Sequence, residues 1–301
     1  MVETATHERS ALRRRGQIYM AGAAMAWSLA GVMQRGLDVS TATQMAGRAF
    51  FASVSLIIVT VLEARRRNLM LSKFVSSIGW VGTAIAVCFA TASACFVYAL
   101  NHSSVASVLF IQALAPFVAV VLAAVFLRER SSRRTWVATG IAIAGVAVMV
   151  GGPHIGSAAG LVAASVMTVL FATAIVLTRH RRDVSMAPAV ALSQVLVFLG
   201  SVGFSHPSTV GGGEVWRFVV LGVVQMGLGQ LCFIVGARLL PASETALITL
   251  LEVVLGPLWV GIFYSENPGT ATLVGGAVVL AAVVYQATES DPGRLAADPA
   301  I

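Results

Sequence analysis

The chain has 301 residues, of which 57% are hydrophobic and only 11% charged, with a net charge of +7. A soluble domain carries roughly 25% charged residues, so this composition excludes an ordinary water-soluble fold. The positive charge calls for no nucleic acid, because its carriers fall between apolar stretches where anionic lipid acts on them.

In chain order the apolar stretches lie near 17–34, 41–63, 75–99, 104–127, 135–151, 157–178, 186–204, 215–237, 243–264 and 270–287. Most reach the roughly 17–25 residues that cross a bilayer as a helix. The fifth and seventh are short, and the second opens on the polar Gln44 and Arg48. Gly151-Gly152-Pro153, His206-Pro207-Ser208 and Asn267-Pro268-Gly269 are among the breakers between them. The predicted fold is all-α and membrane-integral, with ten spans in two five-helix repeats. The repeats run over 16–151 and 157–287. Polar tails at 1–15 and 288–301 are expected to be disordered.

Lys and Arg concentrate in cytoplasmic segments of membrane proteins. With the N-terminus inside, 17 of the 20 basic residues fall inside; Arg35 and Arg217 fall outside and Arg48 within a span. That split predicts both termini in the cytoplasm of a multi-pass protein of the cell inner membrane. No cleavable leader is expected, because the basic N-terminus runs straight into a full-length span.

Displaced by 137 positions, the third-to-fifth spans lie on the eighth-to-tenth without a gap. Cys95 then meets Cys232, Phe96 meets Phe233, Leu114 meets Leu251 and Glu129 meets Glu266. The first span matches the sixth, with Trp27 on Phe171. Five spans per copy is odd, so the second copy enters the membrane inverted. Inverted repeats are typical of secondary transporters, whose halves exchange conformations around one site. Ten spans in two halves, the Glu129 turn at 126–134 and Leu251-Glu252 resemble the drug/metabolite transporter superfamily, closest to its EamA-type exporters. The resemblance implies export of small metabolites, including amino acids. It also implies a central cavity lined by the first, third, fourth, sixth, eighth and ninth spans. The chain departs from the family pattern at Val253, where proline is usual after Glu252, and at Arg128 and Ser265, where glycine usually precedes the glutamate.

Polar groups within hydrocarbon are costly and face the interior. Glu252 lies about 12 Å deeper than Glu244 at the helical rise. It is read either as a proton carrier or ammonium partner, or as a neutral packing residue. Arg48 is read as a carboxylate-binding guanidinium, or as a side chain that snorkels outward or pairs with Asp38 or another acid. Trp27, Ser28 and Phe171 sit at mid-depth as possible walls of an apolar pocket, or as helix packing. Tyr98 is a weaker candidate, since an interface belt also accounts for it. Gln112, Gln225 and Gln230 are candidate amide contacts, favoured by the resemblance over Gln194. Pro116, Gly227, Gly229 and Pro257 are candidate hinges.

No phosphate-binding loop, metal cluster or nucleophile motif appears, so the expectation is a non-enzyme without cofactor, metal or catalytic residue. The three cysteines read as packed thiols. The expected partners are a small-molecule substrate and the lipid bilayer, with no oligomer implied and a monomer sufficient. The leading reading is an exporter of amino acids with apolar or aromatic side chains. The alternatives are a transporter of another metabolite or drug class and, further off, a membrane-embedded enzyme, a lipid-handling protein or a channel.

Overall fold

The structure is a computed structural model that describes residues 2–34, 36–103, 108, 111–128, 131–150, 157–181, 184–264 and 269–288. The side chains of 2–9, 149–150, 257, 260–261, 264 and 287 fall outside that description. Among the described residues every regular element is helical. The first half contains α1 (Val2–Gln34), α2 (Thr41–Arg66), α3 (Leu71–Ser76), α4 (Gly79–His102), α5 (Ala115–Leu122) and α6 (Arg133–Val150). A π-helical turn, Ala123–Leu127, extends α5. The second half contains α7 (Ala158–His180), α8 (Ala187–Val202), α9 (Val215–Val219), α10 (Gly229–Leu239), α11 (Ala242–Thr249), α12 (Leu251–Tyr264) and α13 (Thr270–Ala287). A π-helical stretch, Val220–Leu228, joins α9 to α10 without a gap.

Local chemistry sets several of these boundaries. Ser40 caps α2 by accepting from Thr43 N at 3.3 Å, and Ser157 caps α7 by accepting from Gly160 N at 3.1 Å. Pro188 sits in the first turn of α8, where no backbone donor is lost. Four helices are individually long and apolar enough to cross a membrane: α2, α4, α7 and the continuous Val215–Leu239. Ala115–Leu127, α8 and Thr270–Gln286 are apolar but shorter. The apolar run of α1 is interrupted by Gln17, Trp27, Ser28 and Gln34. Large apolar side chains point outward, among them Trp80 at 78%, Phe204 at 74% and Phe126 at 70% exposed. Such a surface suits hydrocarbon rather than water.

Several expectations are corrected. Residues 2–15 are not a disordered tail but continue α1, since their Glu, Ala, Leu and Arg favour helix. Gln17 and Arg13 also anchor this end on Glu244. The third helix begins at Gly79 rather than 75, after the separate α3 and a turn with Gly79 at φ +57. The expected start of the fourth stretch at 104 and the tail beyond 288 lie outside the described residues.

Packing repeats between the halves. α1 lies along α10 as α7 lies along α4. α1 also meets α11 and α12, as α7 meets α5. α4 packs on α8 as the π-helical stretch packs on α2, while α2–α8, α5–α11 and α6–α13 pair each element with its own counterpart. Exchanging the halves therefore returns the main neighbours of each helix. Close approach relies on small residues: a Cβ on Gly145 of α6 would come within 2.9 Å of the Gly275 carbonyl on α13.

Candidate functional site

Two helices break at duplicated positions. Ahead of α5, Ala113 and Leu114 form a turn in which Leu114 N donates to Ile111 O at 3.1 Å. Between α11 and α12, Leu250 N donates to Leu247 O at 3.1 Å, and Val253 N to Leu250 O at 3.0 Å. Ala113 and Leu250 are 137 residues apart, the offset of the repeat. Short i→i+3 stretches within a helix free backbone groups and mark hinges. Pro116 lies in the first turn of α5, where proline is tolerated, so the interruption precedes it rather than being centred on it.

The breaks bring two polar side chains together. Gln112, buried just before one break, donates from its side-chain nitrogen to Glu252, just after the other. Glu252 is half-buried in the first turn of α12, near the positive end of that helix's dipole. The side-chain oxygen of Gln112 has no partner among the described residues.

An aromatic cluster occupies the same core. Trp27 of α1 stands edge-on to Phe171 of α7 at 5.7 Å between centroids, and 5.5 Å from Phe233 of α10. Phe89 of α4 lies 5.3 Å from Phe233 and 6.2 Å from Phe171. Trp27 and Phe171 were expected as counterparts in the two repeats and as candidate walls of an apolar pocket. Phe89 carried no signal, and Phe233 showed only as a duplicate of Phe96. A Cβ on Gly229 would fall 2.6 Å from Trp27 Nε1, so this glycine is a notch for the indole. Gly227 likewise faces Ser55 Oγ, at 2.7 Å from a Cβ. Ser28 donates to Met25 O and accepts from Trp259 Nε1, both at 2.7 Å. Trp259 was not anticipated. Pro257 lies within α12, its side chain outside the description.

The remaining candidates separate. Gln225 sits in the π-helical stretch, buried, with its side-chain oxygen unpartnered among the described residues. Gln230 accepts from Gln194 Nε2 at 3.3 Å, so the glutamine that was set aside is its partner. Arg48 neither snorkels nor pairs with Asp38: it is buried, and its NH2 donates to Ser93 Oγ at 2.7 Å. Tyr98 stands apart, 39% exposed and stacked on His102 at 3.9 Å. Among the described residues no three His, Cys, Asp or Glu side chains converge on a metal position.

Polar contacts between helix ends join ends that the arginine pattern places on one side. At the arginine-rich side, Arg13 pairs with Glu244 at 3.2 Å and Gln17 donates to it at 2.7 Å. Arg179 donates to Arg238 O at 2.9 Å, Ser185 to Glu63 at 3.0 Å, and Arg134 to Thr288 Oγ1 at 2.7 Å. At the other side, Ser157 Oγ donates to His102 O at 2.6 Å, and His206 N to Thr43 Oγ1 at 2.9 Å.

Apolar helices, paired breaks and a buried aromatic core with sparse polar groups define a multi-pass helical membrane protein of the transporter class. The profile of the EamA-like transporter family matches residues 14–151 and 158–287, and the chain belongs to that family. Its two matched segments make it a two-repeat member of the drug/metabolite transporter superfamily. A solved structure titled "Crystal structure of protein" is similar with a TM-score of 0.77 at 18% identity. The match covers 91% of this chain and 97% of the other, a likeness of fold. No curated protein matches significantly.

Proposed function

We propose that the protein is a secondary transporter of ten spans in two inverted repeats, with both termini cytoplasmic in the inner membrane. It exports small amphipathic metabolites, foremost amino acids with apolar or aromatic side chains, by alternating access. The observation that carries this reading is the pair of broken helices meeting at Gln112 and Glu252, within a core that also holds Trp27, Phe89, Phe171 and Phe233. Discontinuous helices at a repeat interface are where transporters place their sites. Aromatic walls suit an apolar side chain, and the few amides suit its polar end. Reduced density of charge in the core disfavours an ion channel, which needs a ring of pore-lining groups.

The test is reconstitution in liposomes preloaded with unlabelled phenylalanine, leucine or a polar control. Labelled phenylalanine should enter faster in counterflow, saturably, than into empty vesicles. Uptake that is unsaturable and indifferent to preloading would overturn the carrier reading. Counterflow of the polar control alone would overturn the substrate class.

A further inference from the structure

We infer that Arg48 and Ser93 bind the carboxylate of the transported molecule, an inference that rests on the transporter reading above. Arg48 lies seven residues past the first residue of α2, about 10 Å along the helix. It is 2% exposed. Ser93 Oγ accepts from it at 2.7 Å, and among the described residues no carboxylate lies within ion-pair distance. A guanidinium presents five donors in a planar fork, so a single hydroxyl leaves most of its capacity for another acceptor. A buried cation without a counter-ion is costly, and that cost calls for an offset.

The second half of the chain acts as an internal control. Gln194 lies seven residues past the first residue of α8, the counterpart of α2. It is fully buried and donates to Gln230, which stands 137 residues after Ser93. The same slot between corresponding helices is thus bridged by a neutral amide. Packing there needs no charge, yet the first half carries one. The offset comes from an anion that binds and leaves, and a planar two-oxygen carboxylate matches the fork. With Arg48 enclosed, the anion reaches it only when α2 and α4 part, as alternating access requires.

The test uses purified protein in neutral detergent and probes of one shape: 3-phenylpropionate, phenylalanine, 3-phenylpropanamide and 2-phenylethylamine. Wild type should bind the two carboxylates about tenfold or more tightly than the amide and the amine. Arg48→Gln, which copies the second half, should lose about tenfold or more for the carboxylates while its ligand-free melting point holds. Three results would each overturn the proposal: equal binding of acid and amide by wild type, undiminished carboxylate binding by R48Q, or stabilisation by phosphatidylglycerol alone. If R48Q fails to fold, the wild-type acid-to-amide ratio decides. Carboxylate binding without counterflow would sink the carrier reading and keep the site. Counterflow of amine and acid alike would do the reverse.

Discussion

Glu252 accepts from Gln112 across the two halves, and its carboxylate is the partner of the buried Gln112 amide nitrogen. Glu252→Gln keeps a hydrogen-bonding side chain but cannot release a proton. Counterflow is expected to persist in this variant, and its response to a pH gradient to equal that of wild type. Glu252→Ala strands the Gln112 amide and should lower stability by about 1–3 kcal/mol, read as a drop in melting point. Loss of pH-driven accumulation in the Gln variant, with counterflow intact, would instead assign Glu252 to proton coupling. The contact joins residues 140 apart in sequence, so no local pattern foretold it. Arg128 shows the opposite case. It adopts φ +55 at the end of the π-helical turn, a conformation glycine takes freely. The family's usual glycine at this position has its physical reason there, and the sequence displayed the departure without displaying the backbone.

At the level of elements, helix positions were legible because arginines, prolines and glycines punctuate apolar runs. The breaks were less so. Pro116 marks the first, but the second has Val253 at the matching position and breaks all the same. There the interruption is held by surrounding packing rather than by a residue that cannot be helical. The π-helical stretch is marked in the sequence by Gly227 and Gly229 at its end, which do not specify a π-helix, and its counterpart in α4 is regular. Its contact with α2 is tight: a Cβ on Gly222 would lie 2.4 Å from Phe51 Cβ and 2.7 Å from Ala52 N. Gly222→Ala should therefore destabilise by about 1–3 kcal/mol, because backbone must move. Gly200→Ala on the exposed side of α8 meets nothing within 4 Å and should leave the melting point unchanged or slightly raised. Equal effects from the two substitutions would remove the close-packing account.

For the whole molecule, the exchange of neighbours between halves agrees with two copies related by a pseudo-two-fold, and the proposed inversion sets a sidedness that labelling can read. In a background with Cys88, Cys95 and Cys232 replaced, cysteine at exposed Gly212 should react with an impermeant reagent from outside intact cells. Cysteine at exposed Arg66 should react only after permeabilisation. The reverse pattern would invert the proposed orientation. The arginine alternation made this prediction accessible from sequence, whereas pairing of particular helices across the halves required the folded chain.

Among the described residues the two ends of the bundle are tied unequally. Parting α1 from α11 at the arginine-rich end breaks the Arg13–Glu244 pair and the Gln17 bond. At the opposite end, among the described residues, the corresponding contacts are neutral or are backbone N–H groups donating to the Glu214 carboxylate. A carrier without an energy source cannot turn such inequality into net direction, because any bias on one step is repaid on the way back. It can only set which face waits open at rest. Half-saturation and maximal rate would then differ between the two faces by one common factor, leaving their quotient equal on both sides. Net flow would follow the cargo's own gradient, outward when the cell is full of it and inward when it is not.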